Sequence, residues 1–137
     1  MNKLIIMKNI LFTLALLISV VSFGQTAEEY FNSGYDKAEA YDDYGAISDY
    51  TKAIELDPNY AKAYTNRGVS KQRTKDYNGT TSDFNKAIEL DPNDAKTYYN
   101  RAISKYYTND LKGACEDARK SGSLGNPFLE IIEIACN

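Results

Sequence analysis

Apolar and small residues recur at three-to-four-residue spacing through most of this chain, and the pattern is written more than once. Ala46, Ile47, Tyr50, Ala53 and Ile54 form one helical stripe, and Phe84, Ala87 and Ile88 echo it. Ahead of the second stripe, Tyr64, Gly68 and Lys71 follow the same spacing, as do Tyr98, Ala102 and Tyr106 further on. The phrase Lys-Ala-Ile-Glu-Leu-Asp-Pro-Asn closes the first stripe at residues 52–59 and returns unchanged at residues 86–93. An internal copy at a 34-residue period predicts stacked two-helix units, each burying one face against its neighbour.

Rows of 34 starting at Ala27, Ala61 and Ala95 align small residues where two helices must approach closely. Gly34, Gly68 and Ala102 share one position; Ala46, Thr80 and Ala114 share another; Ala53, Ala87 and Ser121 a third. Tyr50, Phe84 and Ala118 share a fourth, where a large ring fills the gap in the first two rows. Asp43-Tyr44-Gly45 and Asp76-Tyr77-Asn78-Gly79 supply turn and capping chemistry between the two helices of a row. Tyr44 stands one place later in its row than Tyr77, which predicts a first turn of different length. Pro58 and Pro92 stop the second helix of their rows. The third row loses that stop, so a shorter second helix is expected there, followed by an apolar capping helix at residues 127–136 begun by Pro127.

These rows resemble tetratricopeptide repeats over nearly all of residues 25–137, through the Gly34, Gly68, Ala46, Ala114, Tyr50, Phe84, Ala53, Ala87, Pro58 and Pro92 positions. The resemblance implies an all-α, right-handed α-α superhelix of three helical hairpins plus a C-terminal capping helix, with repeats at about 27–60, 61–94 and 95–126. It also implies a concave groove, lined by the first helices, that holds peptide segments or protein surfaces. The groove positions map to Phe31, Tyr35, Lys62, Thr65, Asn66, Val69, Arg73, Lys96, Tyr99, Asn100, Ile103 and Tyr106, with Glu28, Ala38 and Gln72 beside them. The alternative for Tyr35, Tyr99 and Tyr106 is packing between repeats.

Some members of the family grip a C-terminal carboxylate with Lys and Asn side chains. Asn66 and Lys96 match two such positions, but Phe31 and Tyr35 stand where Lys and Asn are needed, so a carboxylate-tail reader is not expected. Asn32, Asn66 and Asn100 recur at one row position and suggest a ladder of amides for an extended backbone.

Arg67 and Arg101 stand against Asp49, Asp83 and Asp117 as a recurrent structural set, since a guanidinium and a carboxylate meet through two parallel bonds. The spacing leaves open whether Arg67 pairs with Asp49 across the repeat boundary or with Asp83 inside its own unit. Cys115 lies on the inward stripe of the last repeat and Cys136 near the end of the cap, so a disulfide would staple the two; a pair of free thiols is the alternative.

Residues 1–24 read as a signal peptide: Lys3 and Lys8, an apolar run at 10–21, and Ser22-Phe23-Gly24 before a cut. A retained N-terminal anchor is the alternative. Cleavage leaves 113 residues carrying fourteen cations and nineteen acids, a formal charge of −5, which disfavours nucleic acid as a partner. The chain has no histidine, no glycine-rich phosphate loop and no closely spaced cysteines, so no enzyme activity, metal or cofactor is expected. The expectation is an exported module, periplasmic, envelope-associated or secreted, that binds a protein or peptide and is not an integral membrane protein after cleavage. Self-association through the N-terminal repeat and carbohydrate binding are the alternatives.

Overall fold

A computed structural model describes residues 24–126 and Cys136. Within residues 24–126 the chain forms six helices: α1 Ala27–Glu39, α2 Asp43–Leu56, α3 Ala61–Arg73, α4 Tyr77–Leu90, α5 Ala95–Tyr107 and α6 Leu111–Ser123. Each helix packs on the next, while α1 also touches α3 and α3 touches α5. The first helix of each pair thus lies beside its counterpart, the geometry of a helical-hairpin superhelix. No helix among the described residues is long and apolar enough to cross a membrane. Of the signal peptide expected at residues 1–24 the first 23 residues lie outside the described residues, and so does the cap helix expected at 127–136 apart from Cys136.

Helix starts are set by carboxylates and hydroxyls. Thr26 opens α1 with a reciprocal capping box: its hydroxyl accepts from the Glu29 amide at 3.1 Å, and the Thr26 amide donates to Glu29 Oε2 at 2.8 Å. Asp42, Asp76 and Asp110 cap α2, α4 and α6, each accepting from a glycine amide three residues on, Gly45, Gly79 or Gly113, at 3.0 Å. A Cβ on Gly45 would lie 2.1 Å from Asp42 Oδ2, which is why glycine occupies this place in all three repeats.

The Asp-x-x-Gly spacing corrects the expected difference in turn length. Asp42, not Asp43, is the equivalent of Asp76, and the three turns are the same. Tyr41, Lys75 and Asn109 hold the left-handed residue of each turn at φ 61°, 65° and 64°. The third repeat is also less degraded than expected. α6 has 13 residues against 14 in α2 and α4, and Ser121 Oγ donates to the Ala95 carbonyl at 2.7 Å, tying α6 back to the start of α5.

Rings and gaps alternate in the interior. Gly34 lies under the Tyr50 ring and Gly68 under Phe84; an added Cβ would sit 2.9 Å and 2.7 Å from those rings. In the third repeat Ala118 stands at the ring position and Ala102 at the glycine position, both buried, so with no ring to admit a methyl is tolerated opposite it. Thr65 and Thr97, both buried, join hydroxyls at 2.7 Å across the boundary between repeats two and three.

Cys115 and Cys136, 21 positions apart in sequence, form a disulfide with Cα atoms 5.1 Å apart. A closed loop of this size is worth about 3 kcal/mol. Reduction is expected to lower the urea midpoint of the native protein and leave that of a Cys115→Ala/Cys136→Ala variant unmoved. Equal midpoints for the native protein with and without reductant would show that the bond contributes nothing.

Candidate interaction groove

The side-by-side first helices leave a channel along one side of the stack, made of adjoining depressions that share residues. One, of about 330 Å³, is walled by Phe31, Lys62, Thr65, Asn66 and Lys96, with Asp91 and Asp94 at its edge. The next, of about 220 Å³, is walled by Tyr35, Asn66, Val69, Arg73, Lys96 and Asn100, with Ala38, Glu39, Tyr50 and Ser70 completing it. A third, of about 460 Å³, runs from Lys96, Tyr99 and Asn100 to the turn after α6 at Leu124 and Gly125. Lys96 is common to all three and Asn66 and Asn100 each bridge two, so the depressions form one continuous channel.

Several of the expected groove residues are committed to packing. Thr65 is buried and its hydroxyl is held by Thr97 and the Ala61 carbonyl, so it is a stacking residue. Phe31 stacks on Tyr60 at 4.9 Å and tilts onto Tyr50 at 5.7 Å. Arg73 donates to the Ala38 carbonyl at 3.1 Å, pairs with Asp43 at 3.3 Å and lies over the Tyr41 ring, clamping the end of α1 to α3. Ile103 and Tyr106 line none of these depressions; Tyr106 meets Tyr107 edge-on, and Tyr107 stacks on Tyr77. Asn32 faces the open N-terminal end instead of the channel, beside Glu29, Ser33, Asp36 and Lys37, so the amide ladder within the groove has two rungs.

The recurrent ion pairs form inside each repeat. Arg67 Nε and Nη2 donate to both oxygens of Asp83 at 2.9 and 2.6 Å, while Nη1 reaches back to Thr51 Oγ1 at 3.1 Å. Arg101 treats Asp117 the same way and reaches back to Asn85 Oδ1 at 2.8 Å. The open choice for Arg67 therefore falls to Asp83 for charge, and the boundary contact is to a hydroxyl.

Two partners were missed from sequence: Lys71 and Lys105 also reach Asp83 and Asp117, each at 2.9 Å. Their signal was a lysine four residues after each arginine, recurring as Lys37 in the first row. There Ser33 replaces the arginine, and Asp49 is held by Ser33 and Lys37, each at 2.6 Å. Burial alone would raise the Asp49 pKa, but these two hydrogen bonds and the charges of Lys37 and Lys52 outweigh it and hold it below the ordinary value.

Tyr50 sits at the floor of the channel, and burial pushes its hydroxyl up to about 12, against a counteracting hydrogen bond from the Asn66 side chain. The folded pKa is raised, so this contribution to stability is complete below pH 10 and is lost as pH rises from there through about 12. Native protein is expected to lose stability over that window faster than Tyr50→Phe, measured by urea denaturation at stepped alkaline pH. Parallel curves for the two proteins would contradict this.

The N-terminal end of the stack carries charge where the interior carries small buried residues. Ala63 and Thr97, and Ser70 and Ser104, pack against the preceding repeat; their counterparts on α1 are Glu29 and Asp36. Docking a further repeat there would strip water from two carboxylates.

A helical-hairpin superhelix with a channel along its first helices defines an α-solenoid interaction module. Sequence models of the tetratricopeptide repeat match residues 43–75, 61–94 and 84–116. The chain belongs to the tetratricopeptide-repeat family. No curated protein matches it in sequence. Among solved structures it is similar to the first repeat domain of Spaghetti (RPAP3) bound to the HSP90 peptide SRMEEVD, at 27% identity and TM-score 0.77 over 82% of this chain and 94% of that one. It is similar also to the TPR2B domain of yeast Sti1 in its pHsp70 complex, at 26% identity and TM-score 0.75 over 80% and 93%. The first repeat domain of human RPAP3 matches at 26% identity and TM-score 0.75, over 81% and 92%.

Proposed function

We propose that this chain is an exported protein-interaction module that holds an extended peptide segment of another protein along its channel. The observation that carries this is a buried donor: Asn100 Nδ2, at the junction of two depressions, has no hydrogen-bond partner among the described residues. A peptide supplies acceptors along its length, and the half-exposed Tyr35 ring and the Lys96 ammonium flank the same wall. Two of the similar structures hold peptide partners, which supports this use of the channel. Export is supported by the basic start and apolar run of residues 1–24, and by a disulfide that suits an oxidising compartment. The carboxylates on α1 oppose self-stacking through the N-terminal repeat.

Panning a random heptapeptide display library against the native chain is expected to enrich a shared motif. A Tyr35→Ala/Lys96→Ala variant, folded by circular dichroism, should bind the enriched peptide at least about tenfold more weakly. No enrichment, or equal binding by that variant, would overturn the proposal.

A further inference from the structure

Five of the seven large apolar side chains left exposed among the described residues, Tyr41, Tyr44, Tyr106, Tyr107 and Leu111, lie on one edge of the stack, where the two helices of each repeat join. Four of these five are tyrosines, so the edge has a composition of its own. Tyr41 is the clearest case. It holds the left-handed position of the first turn at φ 61°, where a bulky side chain is strained, and its ring is 83% exposed. Lys75 and Asn109 occupy that place in the other two turns. Packing does not account for a large ring at such a position, because almost none of it is buried.

The rings on this edge are held from one side. Arg73 lies over Tyr41 at 5.9 Å and is itself anchored by Asp43 and the Ala38 carbonyl. One repeat boundary on, the places of Asp43 and Arg73 are taken by Tyr77 and Tyr107, which stack at 5.5 Å, and Tyr106 meets Tyr107 edge-on. Tyr107 stays 62% exposed. Each boundary thus presents one tyrosine braced on one face and open on the other. Beside these rings stand the exposed cap carboxylates Asp42, Asp76 and Asp110, which accept a glycine amide through Oδ1 and leave Oδ2 as an acceptor.

We propose that this edge binds a neutral polysaccharide, with pyranose rings stacked on Tyr41 and Tyr107 and sugar hydroxyls donating to the cap carboxylates. A pyranose carries C–H groups on its faces and hydroxyls around its rim, which suits a tyrosine face set beside an acceptor. Charge narrows the choice of ligand. The exposed acids Glu39, Asp42, Asp76 and Asp110 outnumber the exposed cations Lys75 and Lys112, and Arg73 is already paired with Asp43, so an acidic polymer or an anionic lipid surface is disfavoured. Protein interfaces exclude charge from their centres, whereas here the carboxylates stand among the rings and are fixed by their cap bonds. A protein partner, a second copy of this chain included, would strip them of water, while sugar hydroxyls take the place of that water.

Affinity electrophoresis tests this, in native gels carrying hydroxyethyl cellulose, xyloglucan, laminarin or galactomannan, with the acidic polymer alginate as the contrast. At least one neutral polymer is expected to retard the native chain, and alginate is not. Tyr41→Asn gives the first turn the residue that the third already has. It should raise the dissociation constant about fivefold with thermal stability unchanged or raised, a combination that a packing role for the ring would not produce. Tyr107→Ala should raise the constant by a similar factor. Tyr41 and Tyr107 line none of the channel depressions, so Tyr35→Ala/Lys96→Ala should be retarded like the native chain. No retardation by any neutral polymer, equal retardation of the native chain and Tyr41→Asn, or stronger retardation by alginate overturns the proposal. Retardation lost in Tyr35→Ala/Lys96→Ala and kept in Tyr41→Asn overturns it as well, by moving the sugar into the channel. Dimers in sedimentation that Tyr41→Asn abolishes, with no retardation, would give the edge to a second copy instead.

Discussion

Asp83→Ala is expected to destabilise the protein by about 3 kcal/mol, the lower end of the range for breaking a buried ion pair. The substitution removes the one carboxylate that answers both Arg67 and Lys71, whose side chains are only 15% and 19% exposed and cannot turn fully into water. Asp117→Ala should cost a similar amount, because Arg101 and Lys105 stand in the same relation to it. Asp49→Ala should cost clearly less, about 1 kcal/mol, since the cation in direct contact with it, Lys37, is 40% exposed and is resolvated when released. Urea denaturation of the three variants checks the order. An Asp49→Ala loss as large as that of Asp83→Ala would remove burial of the cations as the reason.

Phe84→Ala should cost about 3–5 kcal/mol, the transfer and cavity terms for a fully buried ring. Gly68→Ala should cost about 1–2 kcal/mol on its own: its Cβ would meet the Phe84 ring at 2.7 Å, and the gain in helix propensity offsets only part of the overpacking. The informative quantity is the pair. With the ring removed the new methyl has room, so the double variant should be more stable than the sum of the single losses predicts, by about 1 kcal/mol or more. The third repeat already contains this combination as Ala102 opposite Ala118. Strict additivity in a double-mutant cycle would mean that the glycine is not there to admit the ring.

Repeat number, helix order and close-packed positions were all legible along the chain, because each follows from spacing within one row. Errors arose where two residues of similar chemistry stood side by side. Asp42 and Asp43 are both plausible caps, and only the amide of Gly45 three residues beyond Asp42 separates them. Thr65 and Arg73 occupy groove-facing rows yet are tied to Thr97 and to the Ala38 carbonyl, partners 32 and 35 residues away. Lys71 and Lys105 went unnoticed as ion-pair partners because an exposed lysine and a half-buried one look alike in sequence.

Periodicity in the amino-acid order is enough to state that this chain is a stack of helical hairpins, since burial of an apolar stripe at helical spacing has few other solutions. Which polar groups on those hairpins remain available is a different kind of fact. Ser70 and Ser104 are the same residue at the same repeat position, and Thr81 Oγ1 satisfies Ser104 while Ile47, at the Thr81 position one repeat earlier, leaves the buried Ser70 Oγ without a partner among the described residues. A hydrogen bond depends on a second atom within about 3 Å. That atom belongs to the preceding repeat, so the free donor becomes visible once the two repeats are packed.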